Sequence, residues 1–306
     1  MPVRCGAALT ILAVSTEIRE TEVEAGGLRF TLLEAGPADG PLALALHGFP
    51  DTAWSWRHLM PVLADDGFRV VAPFMRGYAP TEVPSDGNYQ PGALVADAIA
   101  LHEALGGDER AVLIGHDWGA RAVYGAAAHA PERWRRVVAS AVPPPQRIFE
   151  HFFRFDQLRR SWYMFFFQNP LADSAVAVND LDFLERLWRE WSPALDPDED
   201  MAHVRRALGE TANLAAGLGY YRSMFDTSGH DPALAAEQAA LTGSFSIPLL
   251  YIHGTDDGAM GVEMVDETLL DTGGPGSRLL VVDGVGHFSH LERPDEINAA
   301  IREFVS

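Results

Sequence analysis

Short continuous apolar runs alternate with longer stretches in which apolar residues recur every three or four positions, and this alternation organises most of the chain. Two β-rich runs, "TEIRETEVEA" and "LRFTLLEAG", are joined by Gly26-Gly27 and predict an antiparallel hairpin. Beyond it, the strand-like "LALAL" (42–46), "FRVVAP" (68–73), "RAVLIG" (110–115) and "RRVVASAV" (135–142) are separated by the helix-like "SWRHLMPVLADDG", "GALVADAIALHEALGG" and "ARAVYGAAAHAPERW". Strands that are apolar throughout need cover on both faces, so the pattern predicts a mostly parallel sheet flanked by helices. At "PPPQR" (143–147) the alternation stops, and helix-like, aromatic-rich segments run to about residue 241. It resumes with "IPLLYIHG" (247–254) and "SRLLVVDG" (277–284) and closes on the helix-like "PDEINAAIREFVS". The reading is one α/β core, residues 17–144 and 242–306, carrying a helical insertion over 145–241, with residues 1–16 as an amino-terminal tail.

Composition removes several function classes. The 306 residues are 47% apolar, enough for a sizeable core. A net charge of -20 leaves no basic stripe for a nucleic acid and disfavours an anionic membrane surface. All 23 basic residues are arginine, so neither Schiff-base chemistry nor a P-loop lysine is available. The single cysteine, Cys5, allows no intramolecular disulfide and fits a reducing, cytoplasmic setting. The apolar stretch ending near Val14 is too short to span a bilayer; with one arginine before it and no clean small-x-small cleavage site, it reads first as a tail, with a weak secretory signal as the second reading.

Candidate chemistry begins at "GHDWG" (115–119), where a predicted strand turns into a predicted helix. A small-x-nucleophile-x-small pentapeptide at such a turn pushes its central side chain out at the carboxyl edge of the sheet. Here that residue is Asp117, which alone would also read as a helix N-cap. Three further motifs fall at predicted strand ends. "HGFP" (47–50) follows "LALAL", where the Phe49 N–H could face an oxyanion together with the N–H of Trp118. "HGTDDG" (253–258) supplies an acid, and "GVGHF" (284–288) supplies His287. Nucleophile, acid and histidine therefore occur in chain order at the carboxyl ends of strands, where open parallel sheets place their sites.

With these motifs the chain resembles an α/β-hydrolase-fold epoxide hydrolase from about residue 20 to its end. The resemblance implies an α/β-hydrolase fold whose inserted α-helical cap (lid) domain covers the sheet edge. It implies Asp117 as nucleophile, His287 as base, and as orienting acid Asp257, three residues after Gly254, with Asp256 the second choice. Tyr163 in "WYMFFFQNP" and Tyr221 in "YYRSM" match the two cap tyrosines that hydrogen-bond the epoxide oxygen; without the resemblance both read as core packing. The Phe49 and Trp118 N–H groups then form the oxyanion hole, and Phe49, Trp118 and Phe288 line the substrate site. The implied reaction takes a small, apolar epoxide and water to a vicinal diol through an aspartyl ester, with no cofactor and no metal. Phe49-Pro50 is a candidate cis bond, although trans is the ordinary X-Pro state. His47, His116 and His253 are expected to make local hydrogen bonds, and Asp97 and Asp283 to be solvated or capping carboxylates. One departure stands out: many family members have proline-aspartate-x-arginine-glycine after the next strand, whereas this chain reads "APFMRGYAP".

Two other readings stand beside this one. An aspartyl ester can also displace halide, as in haloacetate and haloalkane dehalogenases of the same fold, although Phe49 and Trp118 depart from their usual residues. A non-catalytic small-molecule-binding protein could use the same scaffold, since fold alone does not give function. Oligomeric state leaves no signature in the sequence.

Overall fold

The computed structural model describes residues 16–306, so the expected tail lies, apart from Thr16, outside the described residues, as does Cys5. The predicted hairpin forms from β1 (Arg19–Ala25) and β2 (Leu28–Ala35), paired antiparallel from Arg19 with Glu34 to Ala25 with Leu28. Gly26 and Gly27 turn the chain with φ of 58° and 79°, the doubly left-handed turn that matches the twist of the strands. The core strands follow as β3 (Leu42–Leu46), β4 (Arg69–Pro73), β5 (Val112–His116), β6 (Arg136–Ser140), β7 (Leu249–Gly254) and β8 (Arg278–Val282).

They form one sheet in the order β1-β2-β4-β3-β5-β6-β7-β8, parallel from β4 to β8 and antiparallel at the β1–β2 and β2–β4 pairs. Every residue of β3, β5 and β7 is buried, which is why these strands are apolar without alternation. Helices α1 (Leu59–Asp65), α2 (Pro91–Ala104) and α3 (Trp118–His129) connect the first core strands. After β6 the insertion contributes α4 (Pro145–His151), α5 (Phe155–Arg160), α6 (Trp162–Phe166), α7 (Ala172–Trp191), α8 (Asp198–Leu208), α9 (Thr211–Phe225) and α10 (Ala235–Ala240). The chain closes with α11 (Ser289–Glu292) and α12 (Pro294–Val305).

Two details refine the sequence reading. Helix α10 lies inside the 145–241 span but packs on α2 and α3, so the chain rejoins the core layer before β7 begins. Helix α7 is broken at Val178–Leu181, where Asn179, Asp180 and Leu181 are left-handed; Arg205 holds the break by donating to the Asp180 carbonyl. No helix among the described residues is long and apolar enough to cross a membrane.

Asp97 is a correction. Rather than being solvated, it is 7% exposed and grips Arg76 with two bonds of 2.6 Å, Nε to Oδ2 and Nη2 to Oδ1. The Arg76 carbonyl in turn accepts from the Tyr220 hydroxyl at 2.8 Å, which ties α9 of the insertion to the core. Removing one partner leaves a buried charge uncompensated, so Asp97→Ala should lower unfolding stability by about 3–5 kcal/mol. In urea titrations the double variant Arg76→Met/Asp97→Leu should recover most of that loss.

Candidate active site

The turn from β5 to α3 is where the site begins. Asp117 has φ 52° and ψ −113°, and its backbone N–H donates to the Ser140 carbonyl at the end of β6 at 3.2 Å. Such a turn requires close approach of backbone to backbone. A Cβ at Gly119 would stand 2.2 Å from the Leu46 carbonyl oxygen, and one at Gly115 would stand 2.4 Å from the Gly119 carbonyl carbon. The glycines of "GHDWG" are therefore steric requirements.

Asp117 is 7% exposed and its two oxygens face different partners. Oδ1 accepts from the Phe49 N–H at 2.8 Å, while Oδ2 lies 3.7 Å from Nε2 of His287. The Phe49-Pro50 peptide is cis. Trp118 is the first residue of α3, so its N–H has no acceptor within the helix.

His287 follows β8 and is oriented from behind. Its Nδ1 is 2.9 Å from Asp257 Oδ2, and Asp257 Oδ1 accepts from the Ala259 and Met260 N–H groups at 2.8 Å each. Asp256, by contrast, is exposed and beside Thr255. The Nε2 of His287, facing Asp117, has no hydrogen-bond partner among the described residues. Burial alone would push the imidazole pKa down, but the charges of Asp257 and Asp117 hold it above the ordinary histidine value. Burial works in the opposite sense on Asp257, yet His287 keeps that carboxyl below its usual range.

From the insertion, Tyr163 of α6 and Tyr221 of α9 meet at right angles, ring centroids 5.6 Å apart. Both are 1% exposed, and the Tyr221 hydroxyl has no hydrogen-bond partner among the described residues. Tyr221 packs edge-on against Phe49 and Trp118, each at 5.1 Å. Burial, with Asp117 adding to it, holds both phenols well above their ordinary pKa, so both remain donors. Phe288 is placed differently from the rest: its ring is stacked face to face on Trp188 at 3.6 Å.

The expected local roles of three histidines hold. His47 Nε2 accepts from the Met75 N–H, His116 Nε2 meets the His287 carbonyl, and His253 bridges Tyr251 and the Met260 carbonyl. Asp283 lies beside Thr255 at the surface. Among the described residues, a group with a metal-ligand donor set is formed by Asp51, His116 and His290, buried and with one ligand atom of each within 4.8 Å of the others. Its histidine His290 is held neutral by burial, its pKa well below the ordinary value.

Sequence reasoning missed the end of α7. The Trp191 carbonyl accepts the His287 N–H at 3.0 Å, and Ser192 Oγ accepts the Phe288 N–H at 2.9 Å. The Trp191 ring stands 5.2 Å from His287 and 4.9 Å from Tyr163. Nothing in "LWREWS" distinguishes these residues from ordinary packing.

The sequence model of the alpha/beta hydrolase fold family matches residues 41–294. Epoxide hydrolase A of Mycobacterium tuberculosis is 32% identical, with 94% of this chain and 97% of that protein covered. The chain belongs to the α/β-hydrolase-fold epoxide hydrolase family. Human epoxide hydrolase 4 is 29% identical over 92% of this chain and 77% of its own length. The crystal structure of epoxide hydrolase A from Mycobacterium thermoresistibile superposes with a TM-score of 0.75 at 30% identity, covering 94% of this chain and 98% of that one. The eight-stranded sheet and the helical insertion after β6 are thus those of this epoxide hydrolase family.

The electrostatics of His287 give a prediction. Its folded-state pKa lies above the ordinary value of about 6.5, so the stabilisation it contributes is fully present below that pH and is lost as pH rises through the folded value. In ring-resonance NMR titrations His287 should titrate above that value in the native chain. In Asp257→Asn it should titrate lower than in the native chain, because burial then meets only the weaker pulls of Asp117 and Asp51.

Proposed function

We propose that the protein hydrolyses an epoxide to a vicinal diol through a covalent ester on Asp117. The observation that carries the reading is a carboxylate at the strand-to-helix turn, one oxygen held by the Phe49 N–H and the other 3.7 Å from an unpartnered Nε2 of His287. A serine at this position would need its proton removed before attack. A carboxylate is already anionic at neutral pH and suits a strained sp³ carbon with no carbonyl to add to.

In the first step an Asp117 oxygen attacks the ring carbon, the carbon–oxygen bond breaks, and the electron pair passes to the epoxide oxygen. Tyr163 and Tyr221 hydrogen-bond that oxygen and one of them gives it a proton, leaving a tyrosinate and a hydroxyalkyl ester. In the second step His287, aligned by Asp257, takes a proton from water, and the resulting hydroxide attacks the carboxyl carbon of Asp117. The oxyanion is held by the N–H groups of Phe49 and Trp118. Collapse releases the diol and regenerates the carboxylate, and the proton on His287 returns to the tyrosinate. Asp117, Asp257 and His287 act as a catalytic triad.

Residues 145–241 serve in this reading as a cap over the core of 17–144 and 242–306. The aromatic faces of Phe49, Trp118 and Phe167 around Tyr221 favour an apolar substrate. The acidic, cysteine-poor composition fits an enzyme of the cytoplasm.

A single turnover in ¹⁸O-labelled water should place the label in the Asp117 carboxylate and leave the first diol unlabelled, as read by peptide mass spectrometry; label appearing only in that diol would exclude the ester. His287→Gln should accumulate the ester on Asp117 within one turnover. Tyr163→Phe/Tyr221→Phe should lower kcat for styrene-type epoxides by about 10²-fold or more. Diol formation that survived the double change would remove the tyrosines from the mechanism, and halide release from haloacetates in place of diol formation would favour the dehalogenase reading.

A further inference from the structure

Three consecutive N–H groups of the loop after β8 each find an acceptor outside that loop. The Gly286 N–H donates to Glu292 Oε1 at 2.9 Å, the His287 N–H to the Trp191 carbonyl at 3.0 Å and the Phe288 N–H to Ser192 Oγ at 2.9 Å. The loop lies so close to the end of α7 that a Cβ at Gly286 would stand 2.6 Å from both the Trp191 carbonyl oxygen and the Ser192 Cα. Trp191 and Ser192 belong to the insertion, whereas Glu292 closes α11 of the core.

Glu292 is half-buried and, among the described residues, forms no ion pair with an arginine or histidine. Burial, with the Asp257 carboxylate adding to it, raises its pKa, so a charge here is unfavourable unless hydrogen bonds offset it. The bonds it has come from the Gly286 N–H and from the Ser192 hydroxyl. A serine hydroxyl has one proton to donate; with that proton on Glu292, its lone pairs are left for the Phe288 N–H. Glu292 therefore governs the acceptors on both sides of His287. Asp257 orients the imidazole ring, but the distance of that ring from Asp117 follows from where the backbone is held, and a displacement of about 1 Å can lower a rate by about 10²-fold.

We propose that Glu292 is a positioning residue for the base: through the Gly286 N–H and the Ser192 hydroxyl it holds the loop that carries His287, and so acts on hydrolysis of the ester rather than on its formation. Ester formation uses Asp117, Tyr163 and Tyr221, none of which is a hydrogen-bond partner of Glu292 among the described residues. The role rests on the ester mechanism proposed above.

Rapid-quench kinetics of the full chain with styrene oxide separate the two steps, the ester on Asp117 being read by peptide mass spectrometry. Glu292→Ala should form the ester at a rate within about twofold of the native chain and hydrolyse it at least about tenfold more slowly, so that the ester accumulates at steady state. Ser192→Ala should slow hydrolysis several-fold, and Glu292→Ala/Ser192→Ala should be no slower than the product of the single effects, because both act through one loop. Glu292→Gln, which keeps an acceptor for the Gly286 N–H, should recover part of the hydrolysis rate. The proposal is overturned if Glu292→Ala hydrolyses the ester at the native rate, if it slows both steps to the same extent, or if Glu292→Gln is as slow as Glu292→Ala. Should Glu292→Ala fail to fold, Glu292→Gln and Ser192→Ala must show the same selective loss of hydrolysis, and equal loss of both steps overturns the role. A native chain that forms no ester would instead remove the reaction itself, and this role with it.

Discussion

Everything at the sheet edge depends on one constrained residue, Asp117, held left-handed between β5 and α3. For a non-glycine residue such a conformation costs about 1–3 kcal/mol and persists only where the surroundings over-determine it. Here they do: β5 is buried along its whole length between β3 and β6, and α3 starts at the next residue with Gly119 against the Leu46 carbonyl. The neighbouring strand ends in the same way. Ala141, just past β6, is left-handed at φ 67°, and Ser140 before it accepts the Asp117 N–H. Two strained positions thus lie side by side, braced by the most buried part of the fold.

His287 is held from two sides that are far apart in sequence. Asp257, at the end of β7, fixes its ring, and Trp191, at the end of α7, fixes its backbone. The insertion therefore helps to build the site as well as covering it. Its other attachments lead to the same place: Trp188 donates to the Pro50 carbonyl, next to Phe49, and Tyr220 donates to the Arg76 carbonyl. A displacement of α7 or α9 would be felt at His287 and at the Phe49 N–H, so insertion and core are mechanically coupled through hydrogen bonds to backbone atoms.

The parts legible in the sequence are those encoded by local rules. Continuous apolar strands, the Gly26-Gly27 turn and the small residues of "GHDWG" each express a steric or solvation requirement that acts within a few positions. The strand ends were therefore readable to within a residue or two, and with them the places where Asp117, Asp257 and His287 lie. Asp97 was misread because its partner Arg76 is 21 residues away, and a lone acid in a helix is ordinarily solvated. Trp188, Trp191 and Ser192 were invisible for a related reason. Two of them look like packing residues in sequence, and their bonds run to positions about 100 residues later or well over 100 earlier. The break in α7 was equally hidden, since "VNDL" carries no glycine or proline.

The charge arrangement around His287 has a consequence for the order of events. The carboxylates of Asp257 and Asp117, with a smaller pull from Asp51, outweigh burial and raise its affinity for a proton. Under the ester mechanism Asp117 becomes neutral as soon as it has attacked. One of the charges holding a proton on His287 is then gone, while the burial that disfavours the imidazolium remains. The imidazole is therefore driven toward its neutral form in the intermediate, the one state in which a base is required. Hydrolysis restores the Asp117 carboxylate and with it the pull on the proton. Under that mechanism Asp117 would also regulate the base through its change of charge, a change that a neutral serine hydroxyl does not undergo on forming an ester.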